Sequence, residues 1–376
     1  MARSSFRKGI KRVVSGAIAR LWHRPGRTPD EIRAARPRRV LIVRPHNQMG
    51  DMVCATPCFR AVRETYPEAE IALVCAPINL DVVQYSPHLD RILLFDKRAC
   101  TRPGPLLAFI RVLRQFEPDL AFVLNSVSYS VTSAALAAVS GAELIVGCDS
   151  LPYGFDVSRH AYSLVMPSYP ELEGHAVDHN LAPLAAVGID TQDRSTVLVP
   201  AAKERAVAED IAKDVPGADP LILMHPGAGK IVNLWPTERF AAVAAHFVRA
   251  GRRVLVLQGP ADAHVMEAFR QEMCGLLPND LHSAWTELPP VTVGVCAALL
   301  ERADRFLCND TGLMHVAGAV GAPTLALFGP TDPASWAPRH HALRPLRHES
   351  GELQALDIDQ VLQAFLELPG RDPNGV

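Results

Sequence analysis

Residues 305–315 have the sequence Arg-Phe-Leu-Cys-Asn-Asp-Thr-Gly-Leu-Met-His, in which a short apolar run passes through a polar turn into a helical pattern. We predict a buried strand at the start of this segment and a helix at about 312–320. Asp310 or Thr311 acting as a helix N-cap would explain the polar turn without any ligand. The alternative is an anion site, because the first backbone N–H groups of a helix lie at its positive end. His315, in the first turns of the helix, would then add a further donor.

The same alternation of strand and helix continues on both sides of this segment. Strands are predicted at Val40–Val43, Ile71–Val74, Arg91–Phe95, Leu120–Leu124, Glu143–Val146, Leu221–Met224, Arg253–Leu257, Arg305–Leu307 and Pro323–Phe328. Helices are predicted near 52–66, 104–116, 130–140, 237–250, 262–273, 293–303, 312–320 and 356–367. Strands that alternate with helices are typical of an α/β protein with doubly wound parallel sheets. The pattern restarts after an irregular stretch at 149–200, so we predict two Rossmann-like halves.

The predicted domain organisation has five parts. They are a basic arm and linker at 1–38, an N-terminal Rossmann-like domain at 39–200, an interdomain linker helix at 201–218, a C-terminal Rossmann-like domain at 219–350, and a C-terminal helix and tail at 351–376. Ligands of such sheets bind beyond the carboxyl ends of the strands. We therefore expect the active site in a cleft between the two halves.

The charge is distributed unevenly along the chain. Residues 1–39 hold 12 Lys or Arg and 2 Asp or Glu, whereas the remaining residues hold 26 and 38. The acidic body argues against nucleic-acid binding. Residues 3–24 predict a basic amphipathic helix that lies on an anionic membrane surface, with a solvated tail as the alternative. The sequence shows neither an apolar run of 18 residues nor the pattern of a secretory signal. We therefore expect a cytoplasmic protein that is peripheral on the inner face of the inner membrane.

The first predicted strand runs into Met49-Gly50-Asp51 at the start of a helix that has Pro57 in its second turn. Asp51 at this position is either a plain N-cap or a carboxylate that faces the cleft and acts as a general base. The sequence pattern by itself leaves both interpretations open.

The second half opens with a similar loop, His225-Pro-Gly-Ala-Gly229-Lys230. Its glycines free the backbone to wrap an anion, and Lys230 supplies a point charge, although an ordinary strand–helix turn is the alternative. The loop is not a Walker motif. Asp262 follows another predicted strand, where it would meet a ribose or sugar hydroxyl or cap a helix.

Other candidate sites receive less support. His175, Asp178 and His179 have a metal-like spacing, but a solvated loop is the favoured interpretation, and no metal is expected. The eight cysteines include the pair Cys54 and Cys58 on one helix face, which we interpret as buried free thiols. The serines at 126, 128 and 130 lack the GxSxG pattern, so a hydrolase is not supported.

Four segments in this order resemble glycosyltransferase family 9, the ADP-heptose:lipopolysaccharide heptosyltransferase family. They are Met49-Gly50-Asp51 with Pro57, His225-Pro-Gly-Ala-Gly229 with Trp235-Pro236, Asn309 to His315, and Gly329-Pro-Thr331-Asp332-Pro333. The resemblance covers residues 39–345. It implies a GT-B fold, two facing Rossmann-like domains with a cleft between them. It also implies an inverting transfer that needs no metal or other cofactor, with the acceptor bound by the N-terminal half and the donor by the C-terminal half.

The resemblance also implies roles for individual residues. Asp51 takes the general-base position, with Met49 and Gly50 on the acceptor side. The expected donor-binding residues are Gly229, Lys230, Asn233, Trp235, Asp262, Asp310, Thr311, Gly312 and His315. Many members have a lysine two residues before the Trp-Pro pair, where this chain has Asn233, and Lys230 is the expected replacement.

The expected partners are a nucleotide-sugar donor, ADP-heptose, and a lipopolysaccharide core acceptor. Three alternatives remain at this stage. The first is transfer of a different nucleotide-activated sugar to another glycan. The others are a nucleotide-sugar epimerase of similar fold and a nucleotide-sugar-binding scaffold without transferase activity.

Overall fold

The computed structural model describes residues 24–124, 129–154, 157–168 and 174–371. The predicted basic helix at 3–24 lies outside this range except for Arg24, as do the serines at 126 and 128. The chain forms two compact units, one that ends at Arg194 and one that begins at Ser195.

The first unit contains one parallel sheet and its covering helices. Its strands are β1 (Arg39–Arg44), β2 (Glu70–Cys75), β3 (Arg91–Leu94), β4 (Leu120–Val123), β5 (Leu144–Cys148) and β6 (Leu164–Met166). Its helices are α1 (Pro29–Ala34), α2 (Met49–Cys54), α3 (Thr56–Thr65), α4 (Leu80–Val83), α5 (Pro103–Gln115), α6 (Val131–Val139), α7 (Ser158–Ala161) and α8 (Ala176–Ala185). Short 3-10 turns lie at Pro77–Asn79, Ala99–Thr101 and Leu151–Tyr153.

The second unit repeats this architecture. Its strands are β7 (Ala218–His225), β8 (Arg252–Val256), β9 (Thr286–Glu287), β10 (Arg305–Asn309), β11 (Thr324–Phe328) and β12 (Leu343–Arg347). Its helices are α9 (Ala202–Asp214), α10 (Thr237–Arg249), α11 (Ala263–Leu276), α12 (Val293–Leu300), α13 (Gly312–Ala319), α14 (Pro333–Trp336) and α15 (Ile358–Leu366). Its 3-10 turns lie at Ile231–Asn233, Asn279–Leu281 and Leu353–Ala355.

Both sheets are parallel, and each places its first strand at the point where the strand order reverses. The orders are β3-β2-β1-β4-β5-β6 and β12-β11-β10-β7-β8-β9. In the first sheet Val40 is in register with both Ile71 and Leu120, so β1 lies between β2 and β4. Ligands of open α/β sheets bind at the carboxyl ends of the strands at such a reversal. The loops after β1, β7 and β10 are therefore the expected ligand-binding loops.

The central strands form because their apolar runs are covered by helices on both faces, which requires continuous rather than alternating hydrophobicity. Residues Val40 to Val43 of β1 and Phe306 to Cys308 of β10 are fully buried. This burial holds the strand ends, and the polar loops that follow them, in fixed positions.

Three strands were not predicted from the sequence. They are the edge strands β6, β9 and β12. The first two have only three and two residues, and β12 has the sequence Leu-Arg-Pro-Leu-Arg with two exposed arginines. Short or charged strands are usual at sheet edges, but they give no long apolar run for sequence analysis to detect.

The helix predicted at 52–66 is two helices, α2 and α3, with Ala55 between them. The prediction that Pro57 lies in the second turn is therefore wrong, because Pro57 lies in the first turn of α3. A proline is favourable there because the first helical N–H groups have no intrahelical acceptor.

The segment predicted as an interdomain linker helix forms α9 and belongs to the second unit. There it packs against α12, with an ion pair of 2.7 Å between Arg205 and Glu301. The C-terminal helix α15 is also part of this unit, and its Phe365 ring meets Phe247 edge-on at 5.6 Å. Both helices are therefore integral parts of the second Rossmann-like unit.

Candidate functional site

Arg44, at the end of β1, joins three parts of the first unit. Its guanidinium is buried and donates hydrogen bonds to the carbonyl oxygens of Leu124, at 3.1 Å, and Asp51, at 3.2 Å. These bonds tie the end of β1 to the segment after β4 and to the first turn of α2. Sequence analysis did not single out Arg44, whose only signal was a charged residue directly after an apolar strand.

Asp51 lies in the first turn of α2 and is partly exposed, as are its neighbours Met49 and Gly50. The N-cap position belongs to Gln48, so the interpretation of Asp51 as a plain N-cap is wrong. A carboxylate in the first turn is still stabilised by the positive end of the helix. The structure thus leaves the carboxylate of Asp51 at the carboxyl edge of the first sheet, where a ligand can reach it.

His46 lies two residues beyond β1 in the same loop. Burial, together with the positive charges of Arg44 and Lys97, lowers the pKa of its imidazole to about 4. Its carbonyl oxygen accepts a hydrogen bond of 2.5 Å from the side-chain amide of Asn79. At neutral pH the loop therefore carries an uncharged histidine, a feature that the sequence did not indicate.

In the second unit, a buried His–Asp pair holds the loop after β7. Nε2 of His225 lies 3.0 Å from Oδ2 of Asp262, which also accepts the backbone N–H of Gly259 at 2.7 Å. Burial alone would raise the pKa of Asp262, but the hydrogen bonds from His225 and Gly259 outweigh it and leave the pKa lowered. A Cβ atom on Gly227 would lie 2.3 Å from Cγ of Asp262. Glycine at 227 is therefore required for this close approach.

Two roles were predicted for Asp262, contact with a ribose or sugar hydroxyl and capping of a helix. Asp262 occupies the N-cap position of α11, but within the described part of the chain its carboxylate makes no capping hydrogen bond. Its exposed fraction is only 6%. The carboxylate is thus engaged mainly in holding the glycine loop, and its contact with a donor hydroxyl stays a prediction.

Asn309, the last residue of β10, holds the loop that follows β7 through side-chain hydrogen bonds. Its fully buried side chain donates to the carbonyl oxygen of Pro226 at 2.8 Å and accepts the backbone N–H of Trp235 at 3.1 Å. Asn309 stood in the sequence motif but was not predicted to have a role of its own. Because these partners lie more than 70 residues away along the chain, no local pattern indicates the contact.

The side chain of Trp235, a predicted donor-binding residue, packs inside the second unit. Its side chain is fully buried, its indole N–H donates to the carbonyl oxygen of Leu356 at 3.0 Å, and its ring meets Phe240 edge-on at 5.1 Å. Both the apolar surface and the polar atom of the indole are thus used inside the second unit. These contacts fix the end of the loop, and a contact between Trp235 and the donor stays a prediction.

The surroundings of Asp310 raise the pKa of its carboxyl group on balance. The side-chain amide of Asn233 donates to Oδ2 of Asp310 at 3.0 Å and to its carbonyl oxygen at 3.3 Å. Burial raises the pKa of Asp310, while a hydrogen bond from Thr331, the charge of Lys230 and the bond from Asn233 oppose the rise. Lys230 and Gly229 are exposed on the loop beside it. The hydrogen bonds from its neighbours therefore hold the Asp310 carboxylate in place, and it is only partly exposed to solvent.

The helix α13 begins two residues after Asp310, and the hydroxyl group of Thr311 lies at its start. Thr311 occupies the N-cap position, yet its Oγ1 is buried and finds no hydrogen-bond partner among the described residues. The prediction of Thr311 as the N-cap residue is therefore confirmed by position, but its side chain makes no capping hydrogen bond among the described residues. The first N–H groups, from Gly312 onward, have no acceptor within an α-helix. His315 follows in the first turn, mostly buried, with its ring 6.3 Å from that of Trp336.

Several of the predicted donor-binding residues lie on two neighbouring loops of the second unit. The loops after β7 and β10 place Lys230, Asn233, Asp310, Thr311 and His315 at the carboxyl edge of the second sheet. The arrangement combines one cation, one carboxylate, a buried hydroxyl and the positive end of a helix. These groups are suited to a ligand that carries both phosphate and hydroxyl groups.

The sites with less support in the sequence behave differently. His175 caps α8, where its Nδ1 accepts the backbone N–H of Val177 at 3.2 Å. Across the described ranges, no group of three or more His, Cys, Asp or Glu side chains is placed to hold a metal ion. Cys54 and Cys58 are buried free thiols, as predicted, and burial raises the pKa of each to about 12. In the same ranges, no helix has the length and apolar character needed to cross a membrane.

Comparison with known proteins agrees with this architecture. The model of glycosyltransferase family 9 (heptosyltransferase) matches residues 106–364. Lipopolysaccharide heptosyltransferase 3 of Escherichia coli K12 is 27% identical over 310 residues, which cover 77% of this chain and 82% of that protein. Lipopolysaccharide heptosyltransferase 1 of Pseudomonas aeruginosa is 25% identical over 311 residues, which cover 78% and 79%.

Solved structures show the same fold. The ADP-heptose heptosyltransferase II of E. coli superposes with a TM-score of 0.72 at 21% identity, covering 86% of this chain and 96% of that one. A family 9 glycosyltransferase from Veillonella parvula gives a TM-score of 0.72 at 22% identity, covering 87% and 95%. The predicted GT-B fold class is therefore confirmed. On the extent of the family match, the chain belongs to glycosyltransferase family 9, the heptosyltransferase family, and is a glycosyltransferase.

Proposed function

We propose that the protein transfers heptose from ADP-heptose to a lipopolysaccharide core acceptor, with inversion at the anomeric carbon and without a metal ion. The names of its relatives, lipopolysaccharide heptosyltransferases, support the transfer of heptose and the acceptor class. The observation that carries the proposal is the buried hydroxyl of Thr311 at the start of α13, which has no hydrogen-bond partner within the described ranges. An unpaired buried hydroxyl costs free energy, and a phosphate oxygen that accepts its hydrogen bond would remove that cost.

The leaving group determines what the second unit has to supply. As the bond between the anomeric carbon and the phosphate oxygen breaks, negative charge develops on the ADP. The N–H groups of Thr311 and Gly312 with His315 are fixed donors for that charge. Losing one donor of this kind typically costs about 3–4 kcal/mol in the activation barrier. Asp310 has the same sign of charge as the phosphates, so we assign it to a sugar hydroxyl.

The acceptor oxygen requires a base, and we assign this role to Asp51. The acceptor hydroxyl loses its proton to the Asp51 carboxylate as its oxygen forms a bond to the anomeric carbon from the side opposite ADP. A positioned general base typically contributes a factor of about 10²–10⁴ in rate. The Arg44 bond to the carbonyl oxygen of Asp51 fixes the backbone from which this carboxylate projects.

Many family members have a lysine at the position of Asn233. In this chain we assign the role of that lysine to Asn233 and Lys230 together. The amide of Asn233 is engaged with Asp310, so it supplies no cation for a phosphate. Lys230 is exposed on the same loop, and its charge reaches Asp310. We therefore assign the electrostatic contact with the donor diphosphate to Lys230. The neutral Asn233 also favours the second candidate, transfer of a different nucleotide-activated sugar to another glycan.

We further propose that the basic residues 1–24 bring the enzyme to the anionic inner face of the inner membrane, where a lipid-linked acceptor is available. Their positive charge contrasts with the acidic remainder of the chain. Basic residues near an anionic membrane each contribute about 1 kcal/mol of attraction.

Isothermal titration calorimetry with ADP, ADP-heptose, UDP, GDP and UDP-sugars tests the donor assignment. We expect selective binding of the two adenine compounds, with the same affinity in EDTA. Tighter binding of UDP- or GDP-sugars would overturn the ADP-heptose assignment and support the second candidate. A requirement for added Mg²⁺ would contradict the metal-independent mechanism.

A further inference from the structure

The first unit contains an apolar groove whose lining the proposed transfer reaction does not use. It lies between α5 and α6 and has a volume of about 780 Å³. Six aliphatic side chains form much of its lining: Leu106, Ile110, Val131, Ala135, Leu136 and Val139. Lys97 and His46 also line it, so the groove extends to the loop that follows β1. The two helices are linked by the guanidinium of Arg114, which donates to the carbonyl oxygen of Val139 at 2.9 Å.

The outer surface of α5 continues this apolar character into solvent. Phe109 and Leu113 face the core of the unit, whereas Leu107 is 65% exposed and Val112 is 48% exposed. Leu107 is one residue beyond Leu106 of the groove and therefore lies on the adjoining face of the helix. Single exposed apolar side chains are common on protein surfaces, but Leu107 adjoins a large apolar groove, and a continuous apolar patch of this kind indicates a binding surface.

The charge around this helix indicates what the surface binds. Residues 97–116 contain five basic residues and no acidic residue: Lys97, Arg98, Arg102, Arg111 and Arg114. The carboxylates at either end are already engaged, since Asp96 accepts backbone N–H groups of Arg98 and Ala99 and Glu117 pairs with Arg39. The remainder of the chain after residue 39 is acidic overall. A local basic surface with exposed apolar side chains is therefore complementary to an anionic, apolar partner.

We propose that α5 and the groove between α5 and α6 form a docking surface for an anionic lipid bilayer. Leu107 enters the boundary between headgroups and acyl chains, and the groove takes an acyl chain. The basic residues at 97–114 meet the lipid phosphates. This surface is separate from residues 1–24 and does not depend on the sugar donor, so it adds a second membrane contact on the unit that carries Asp51.

The experiment uses the full chain and vesicles of phosphatidylglycerol and phosphatidylcholine with bromine atoms on the acyl chains. Leu107→Trp places a fluorophore on the surface, and Val207→Trp is the matched control on α9, where Val207 is 46% exposed. Both positions are exposed, so we expect both variants to melt at the wild-type temperature. We expect brominated vesicles to quench the added tryptophan at 107 and to leave that at 207 unchanged. Equal quenching of the two variants, or none, would overturn the proposal.

Charge is tested separately by cosedimentation. We expect Arg111→Glu to weaken partitioning onto phosphatidylglycerol vesicles by about tenfold, since it changes the local charge by two units. We expect little partitioning onto pure phosphatidylcholine. Equal partitioning onto both kinds of vesicle would contradict an anionic lipid surface as the partner. Donor binding by the same variants distinguishes the two proposals, because this surface leaves the affinity for ADP unchanged whichever sugar is transferred.

Discussion

The side-chain amide of Asn233 donates a hydrogen bond of 3.0 Å to the carboxylate of Asp310, a residue 77 positions further along the chain. The bond joins the loop after β7 to the start of α13. Because the amide is neutral, it orients Asp310 without neutralising it. Lys230 is then the cation of this loop whose charge acts on Asp310. This division of roles between a neutral positioning group and a separate cation leads to the first prediction.

Lys230→Ala is expected to weaken binding of ADP and ADP-heptose by about tenfold or more, because a charge-assisted hydrogen bond contributes about 1.5–3 kcal/mol. Calorimetric titration measures the change. Lys203→Ala, which removes an exposed lysine from α9, is the matched control and leaves the affinity at the wild-type value. An unchanged affinity in Lys230→Ala would show that the donor phosphates are held without this cation.

Thr311→Val separates a ligand-binding hydroxyl from a structural one. The Oγ1 atom has no partner among the described residues, so an isosteric methyl group leaves the free energy of unfolding unchanged or raises it. If the hydroxyl binds the donor, the same substitution weakens donor binding by about threefold to tenfold, which corresponds to a net hydrogen bond of about 0.5–1.5 kcal/mol. Thermal unfolding and calorimetry measure the two effects. A loss of stability with unchanged donor affinity would give the hydroxyl a structural role instead.

Gly227→Ala is expected to destabilise the second unit by about 1–3 kcal/mol. The added Cβ would lie 2.3 Å from Cγ of Asp262, whose carboxylate cannot move away without losing its bonds to His225 and Gly259. Gly229→Ala is the matched control in the same loop, because none of the described atoms lies within 4 Å of its added Cβ. We expect that control to be neutral or about 0.4–1 kcal/mol more stable. Chemical denaturation compares them, and equal destabilisation of both would contradict the packing at Gly227.

His46 should make stability depend on pH in the mildly acidic range. Its folded-state pKa is about 4, below the ordinary value of 6.5. Between pH 6.5 and 4 the unfolded chain therefore binds a proton that the folded chain does not, and stability falls as the pH falls. The slope from this group is at most about 1.4 kcal/mol per pH unit. Above pH 6.5 it contributes no slope.

Denaturation at a series of pH values measures this effect. His46→Gln is expected to lose less stability than the wild type between pH 6.5 and 4.5. His246→Gln, which removes an exposed histidine from α10, should follow the wild-type profile. Coincident profiles for all three proteins would show that protonation of His46 is not linked to folding.

The central strands and the motif residues were predictable because their signals are local. Residues Val40 to Val43 of β1 form a continuous apolar run that is fully buried, and Thr311 lies two residues after the similar strand β10. Edge strand β12 could not be predicted, because its sequence includes two arginines and a proline. The break at Ala55 was also missed, because the helical pattern continues across it.

The contacts that hold the site were less predictable, because they join residues far apart in the chain. Arg44 bonds to Leu124 across 80 positions, and Asn309 reaches back 83 positions to Pro226. The structural contact of Trp235 was missed for the same reason, since its partner Leu356 is 121 positions away. A sequence motif indicates which residues meet at a site, but it does not distinguish a residue that contacts the ligand from one that supports the loop.

The most direct test of the central claim is the turnover number of Asp51→Asn, measured together with its affinity for ADP-heptose. The control is Asp81→Asn, which removes another carboxylate from the first turn of a short helix in the same unit. If Asp51 is the general base, its loss lowers kcat by a factor of about 10²–10⁴ while donor affinity stays at the wild-type value, and Asp81→Asn retains activity. A kcat for Asp51→Asn within a few-fold of the wild type would contradict the mechanism.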